Sequence, residues 1–138
     1  MSPKNLNAIK IPKNLVSKLS NKRIKILCKL FESNFKIKER FAVAVSGGPD
    51  SLALAFLTKI FSIKHNIEVK YFIVNHKIRK DSSDESEKVK KILGNFGFEL
   101  EILNWNGKKP VSNIQSLARK KRYDLLFSKC KSYKISNL

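Results

Sequence analysis

The 138-residue chain is predicted to form a parallel α/β sheet with flanking helices. Three observations predict it. Strand-like apolar runs alternate with helical stretches along the chain. One of those runs is short and apolar enough to be buried on both faces. A glycine-rich turn then joins that run directly to a helix. Strands that alternate with helices pair in parallel through right-handed crossovers. The length suits one domain, and 42% hydrophobic residues are enough for a core and too many for a disordered tail.

The elements follow in order. Residues 1–12 read as a polar lead-in ending at Pro12. From Lys13 to about Phe31, the residues Leu15, Val16, Leu19, Leu27, Leu30 and Phe31 recur at roughly helical spacing, and Ser20-Asn21 makes this one interrupted helix or two. Phe41–Val45 is the doubly buried strand. A helix opens at Pro49 or Asp50 and runs to about Lys64, apolar almost all round and therefore expected to be covered on several sides. Val69–Asn75 is a second strand. Asp84–Phe96 is a helix with Val89, Ile92, Leu93 and Phe96 on its inner face, and Glu99–Asn104 is a third strand. A fourth helix spans about Ser112–Tyr133, with Lys134–Leu138 as the first residues of a fourth strand. A three-stranded open sheet would leave an unpaired edge. The expectation is therefore a truncated fold: a basic helical segment over residues 1–40, then the N-terminal portion of a larger domain over 41–138.

The formal net charge is +18, unevenly spread. Residues 1–40 carry 11 Lys/Arg against Glu32 and Glu39, and residues 106–138 carry 9 against Asp124. The middle is nearly neutral. Two basic ends would concentrate a polyanion such as RNA. AT-rich coding, which favours Lys, Asn and Ile, gives the same composition without any binding. No apolar run reaches membrane-span length, and the N-terminus lacks a secretory h-region, so a cytoplasmic protein without a membrane partner is expected. Cys28 and Cys130 form no C-x-x-C, which argues against a zinc knuckle or a disulfide framework.

Ser46-Gly47-Gly48-Pro49-Asp50-Ser51 lies between the buried strand and the buried helix, where open α/β sheets bind phosphate. Two glycines let the backbone approach an anion, successive N–H groups make a nest, and the helix presents its positive end. Ser46 and Ser51 add hydroxyl donors. Asp50 is acceptor-only and odd beside a phosphate, so it calls for magnesium or a positioned donor group. Neither a Walker loop nor a G-x-G-x-x-G fingerprint occurs. In the fourth helix, Gln115, Arg119 and Arg122 share one stripe, while Ile114, Leu117, Ala118 and Leu125 share another that would pack on the sheet, with Lys121 intruding. Two arginines on one stripe suit an anionic ligand or a solvated basic face. His76 follows a strand end as a loop residue or a catalyst. Asp81, Asp84, Glu85 and Glu87 suit a helix start or a metal; no metal ligand set is assigned.

The loop at 46–51 resembles that of the ATP-pyrophosphatase (PP-loop) superfamily. Two more stretches narrow the resemblance. Val74-Asn75-His76-Lys77-Ile78-Arg79, with Ser82, Ser83 and Glu85, is similar to one motif of the tRNA(Ile)-lysidine synthase family. Gln115-Ser116-Leu117-Ala118-Arg119, with Arg122-Tyr123, is similar to another. The resemblance covers roughly residues 41–125. It implies a Rossmann-like sheet of the adenine nucleotide alpha hydrolase kind. It also implies a ligase that forms a C–N bond, with ATP adenylating C2 of an anticodon cytidine in tRNA(Ile) and lysine displacing AMP. In that scheme the loop Ser46–Ser51 binds pyrophosphate, magnesium offsets charge near Asp50, and Arg119 and Arg122 act on the substrate or transition state. The family's H-x-x-D-D stretch and its C-terminal tRNA-binding regions are not in this sequence, so an incomplete enzyme with little activity by itself is expected.

The alternatives are a tRNA 2-thiocytidine-type thiolase, which needs paired cysteines, and another PP-loop adenylating synthetase. A non-catalytic nucleotide-binding module is the reading of a different class. Lysine specificity, the tRNA read and the oligomeric state are not legible in the sequence.

Overall fold

The computed structural model describes residues 17, 18 and 20–138. The expected lead-in at 1–12 and the helical positions Leu15, Val16 and Leu19 lie outside the described residues. The elements are α1 (Lys22–Asn34), β1 (Phe41–Val45), α2 (Pro49–His65), β2 (Val69–Asn75), α3 (Ser82–Gly94), β3 (Leu100–Asn104) and α4 (Ile114–Ser132). The strands lie in the order β1-β2-β3 and pair in parallel. This is the α/β architecture that the alternating pattern predicts.

The doublet Ser20-Asn21 breaks the N-terminal helical stretch for a local reason. Asn21 is the N-cap of α1, and its side chain accepts from the amides of Arg23 (2.9 Å) and Ile24 (3.4 Å). At the far end of α2, Asn66 adopts the left-handed conformation (φ 56°) that lets its N–H close the helix on the Ser62 carbonyl.

Period-two alternation sorts the strand side chains onto two faces. Phe41, Val43, Val45, Tyr71, Ile73 and Leu100 join one core, with Ala55 and Phe61 of α2, Leu93 of α3 and half-buried Phe31 of α1. Aromatic rings knit this side together. Phe35 lies 4.9 Å from Phe61 and 5.2 Å from Phe41, and Tyr71 lies 4.9 Å from Phe98. Each such pair adds about 0.5–1.5 kcal/mol beyond its buried area. Thr58 is buried but satisfied, donating to the carbonyls of Leu54 (2.8 Å) and Ala55 (2.9 Å) beside the Tyr71 hydroxyl. Burial pushes the Tyr71 phenol above its ordinary pKa. Across the helices, Glu32 of α1 accepts from Lys64 (2.7 Å) and meets His65 at 2.8 Å on α2.

Among the described residues, the opposite face is covered by α4 and the segment that follows it. Ala42, Phe72 and Leu103 pack there against Leu126, Cys130 and Ile135. Glu101 anchors the helix from below, accepting from Lys129 (2.6 Å) and from the Tyr133 hydroxyl (2.9 Å). One helix cannot roof three strands, so Ala44 of β1 is exposed and the strand is not buried throughout as expected.

Four other expectations are corrected. Ala53 and Leu54 of α2 face outward, because α1 covers only part of the far side. Ile92 is half exposed, whereas Leu93 is fully buried; the inner face of α3 is narrower than the pattern suggested. Ile114 and Leu117 are exposed, and the packing stripe of α4 is Ala118, Leu125, Leu126 and Cys130. Residues 114–117, the first turn of α4, are all exposed, and burial of the helix begins at Ala118. Lys134–Leu138 does not form a strand. Ile135 is buried and the Asn137 carbonyl accepts from Ala42 N–H at 2.9 Å, but one bond is not a ladder. Among the described residues, no helix is long and apolar enough to cross a membrane.

Candidate nucleotide site at the strand ends

Parallel pairing brings all three strand C-termini to one rim. Val45 pairs with Ile73, and Ile73 with Ile102, so the segments that leave β1, β2 and β3 emerge side by side. Ligands bind at this rim in open α/β sheets.

The turn at 46–51 is closed by its own serines. Gly48 N–H donates to Ser46 Oγ (3.4 Å), Ser46 Oγ donates to Ser51 Oγ (3.1 Å), and Ser51 Oγ donates to the Gly48 carbonyl (3.1 Å). Ser46 N–H also donates to Ser51 Oγ, at 3.1 Å. Both hydroxyls therefore shape the loop here. What stands free is backbone. Gly48 is the N-cap of α2 and supplies no capping side chain, and Pro49 follows at the first turn. The amides of Gly47, Asp50 and Ser51 donate to no protein acceptor among the described residues. Together with the helix dipole they form an anion receptor.

Gly47 is required twice over. Its φ is +87°, and a Cβ there would sit 2.9 Å from Cγ2 of Val89. The loop thus rests directly on α3. Asp50 is exposed in the first turn of α2, and no ion pair within 4.0 Å engages it among the described residues. No group of three or more His, Cys, Asp or Glu side chains is placed to hold a metal among the described residues. Asp81, Asp84, Glu85 and Glu87 cluster at the start of α3, where Glu85 meets Arg79 at 3.7 Å. Cys28 lies on α1 and Cys130 under the opposite face, so they form no cysteine pair.

The second rim segment is organised by Asn75, which is 3% exposed. Its amide donates to Ser83 Oγ (2.9 Å) and Asn104 Oδ1 (3.2 Å), its Oδ1 accepts from Lys77 N–H (3.0 Å), and its carbonyl accepts from Trp105 N–H (3.0 Å). Asn75 is therefore a brace joining β2, β3 and α3, a role its sequence context did not reveal. His76 stands beside it, edge-on to Trp105 at 6.4 Å, and its Nδ1 is buried without a hydrogen-bond partner. Burial first, then the charges of Arg122 and Lys109, hold the His76 pKa below its ordinary value of 6.5.

The predicted arginines separate. Arg119 is exposed and Arg122 half buried, and both guanidinium groups flank the Tyr123 ring, at 5.2 and 5.4 Å from its centroid. Gln115 is exposed. Only Arg122 reaches the electrostatic neighbourhood of His76. Neither arginine bonds to the loop at 46–51 among the described residues.

A profile of the PP-loop domain matches residues 18–138. The chain belongs to the PP-loop family. Curated members that it resembles share one name. It is 38% identical over 96 residues to a tRNA(Ile)-lysidine synthase of Rickettsia bellii, covering 70% of this chain and 22% of the relative. It is 39% identical over 108 residues to the enzyme of that name in Orientia tsutsugamushi, covering 78% and 24%. The figure is 42% over 109 residues for the one in Bartonella quintana, covering 75% and 22%. This PP-loop chain thus spans between a fifth and a quarter of the length of the curated relatives it matches. The PP-loop match starts before α1, so that helix lies within the matched region.

Two outcomes follow. Gly47→Ala is expected to lower stability by about 1–3 kcal/mol in denaturant unfolding. Adding Val89→Ala should recover the steric part and leave the positive-φ part, so full recovery would contradict the dual requirement. An NMR titration of His76 should give a midpoint below 6.5, raised in Arg122→Gln. The sign for stability follows from linkage. The folded state resists protonating His76 while the unfolded state does not. The contribution of His76 is therefore complete above pH 6.5 and lost as pH falls towards the lower folded value.

Proposed function

We propose that this chain carries the ATP-cleaving site of a ligase that adenylates C2 of an anticodon cytidine in tRNA(Ile) and joins lysine to it, forming lysidine. The observation that carries the reading is the uncapped start of α2, where unpaired backbone amides and the helix dipole meet in a turn that only glycine can make. Family membership and the name shared by the compared relatives support it.

In this scheme the amides of Gly47, Asp50 and Ser51 receive the β and γ phosphates, which leave as pyrophosphate. Ser46, Gly48 and Pro49 hold the loop in shape. The α-phosphate passes to the cytidine oxygen. Magnesium fits the donor set, because it is commonly held by one or two carboxylates and by substrate phosphates rather than by an all-protein cage. Asp50 would hold it, and when bound it supplies charge neutralisation of the phosphates. Arg122, with Arg119 beyond it, presents guanidinium to the anionic substrate; a donor aimed at developing charge is where most rate enhancement originates. Residues 1–40 serve as a basic segment ahead of the ATP-binding portion at 41–138, and the setting is cytoplasmic.

The products decide the reaction class. Incubation of the chain with ATP, lysine and tRNA(Ile) should yield AMP and pyrophosphate in equal amounts, only when the RNA is present, and even a yield below one turnover suffices to read them. Asp50→Asn should reduce that yield about tenfold or more, the scale of a lost charge-stabilising group. ADP and orthophosphate as products, or cleavage indifferent to RNA, would refute the proposal.

A further inference from the structure

The rim holds a second concentration of positive charge that the loop at 46–51 does not use. Lys77 and His76 leave β2, Lys109 follows β3, and Lys121 and Arg122 project from α4. Trp105, 6% exposed, is the centre of this group. Lys109 Nζ lies 4.1 Å over its ring and donates to its carbonyl at 2.6 Å, while His76 meets the ring edge-on. Lys77 Nζ donates to Asn106 Oδ1 at 3.0 Å, and its backbone is held at φ 52°, a conformation that costs a non-glycine residue about 1–3 kcal/mol.

The ammonium groups of Lys77 and Lys109 are thus tethered by these contacts, and His76, with a pKa below its ordinary value, stands among them as a neutral donor. Besides burial, Arg122 and Lys109 depress His76, and Lys77 and Lys121 depress Lys109. No carboxylate lies within ion-pair distance of any of the five among the described residues. His76 Nδ1 is buried and unpartnered as well. A fixed, uncompensated cluster around an orphaned polar atom lacks an anion.

We propose that Lys109 and His76, packed against Trp105, together with Lys77 beside them and Lys121 and Arg122 of α4, form a second anion site that takes a phosphodiester group of an RNA strand. The site stands apart from the loop. The end of β3 is two strand spacings from the end of β1, roughly 10 Å. The phosphates of ATP are assigned to the loop, and lysine brings one carboxylate beside two ammonium groups, so a cluster of several cations suits the RNA backbone; in this the inference rests on the RNA reading above. The neighbouring Tyr123, flanked by two guanidinium groups, adds the aromatic-and-arginine surface on which single-stranded bases stack.

Trp105 is the chain's sole tryptophan, so its emission reports occupancy of this site alone. Titration with a pentacytidylate RNA, at saturating ATP, should change that emission. Lys77→Ala/Lys109→Ala should weaken binding about tenfold and flatten the dependence of log K on log salt by roughly 0.7 for each phosphate no longer neutralised. Lys88→Ala/Lys91→Ala, exposed on α3 in the nearly neutral middle of the chain, should leave both unchanged. If circular dichroism shows the first pair to be unfolded, Lys77→Ala alone repeats the test, since its side chain is exposed. Displacement of the RNA by ATP would overturn the separate site. RNA binding seen by polarisation of a fluorescein-labelled oligonucleotide, with Trp105 silent and the lysine variants unaffected, would sink this site and leave the RNA reading standing. Absence of any RNA binding would sink both.

Discussion

The common register of three parallel strands is the constraint on which the functional rim depends. Pairing Val45 with Ile73, and Ile73 with Ile102, makes the chain emerge three times at one level. A one-residue slip would exchange the two faces of a strand, placing Phe72 where Tyr71 now packs. It would also displace Asn75, whose four hydrogen bonds tie β2 to β3 and to α3 at that level. The cores on the two faces enforce the register, and the rim is its consequence. The first exit becomes the glycine turn; the second and third become the strapped pair around Trp105.

As proposed, the two parts of the rim would recognise anions by different physics. At the turn, the receptor is backbone: free amides at the start of a helix, carrying partial charge fixed by the fold. Its donors cannot swing away, and the serine hydroxyls stiffen it. Around Trp105, the receptor is side-chain charge held against an indole and against its own repulsion. The first arrangement suits a compact phosphate group that must be oriented for chemistry. The second suits a polyanion that must be steered and held.

Much of this was legible in the sequence, for identifiable reasons. Apolar runs bounded by turn residues give the strands because a doubly covered strand must be apolar throughout, and Val69–Asn75 matches its predicted bounds. The loop was legible because its chemistry is local, with glycine, proline and an acidic residue contiguous. The cluster around Trp105 was not, because its members come from three segments, two joined by the β2–β3 pairing and the third carried by α4. Helical periodicity shows which residues share a stripe and not how much of the helix has anything beneath it. That is why the pattern packs Ile114 and Leu117 while α4 docks through Ala118, Leu126 and Cys130. The place of Lys134–Leu138 after the fourth helix in an alternating order suggested a strand, yet strand formation needs a ladder and the Asn137 carbonyl makes a single bond to Ala42.

The central claim is that the backbone at 46–51 is the pyrophosphate receptor of this chain. It is tested most directly by following every backbone amide in a two-dimensional NMR titration with inorganic pyrophosphate. The account predicts that the amides of Gly47, Gly48, Asp50 and Ser51 move first and furthest, and that Gly47→Ala abolishes those shifts. Shifts centred on Lys77, Trp105 and Lys109 with the loop unmoved, or none at saturating pyrophosphate, would contradict it.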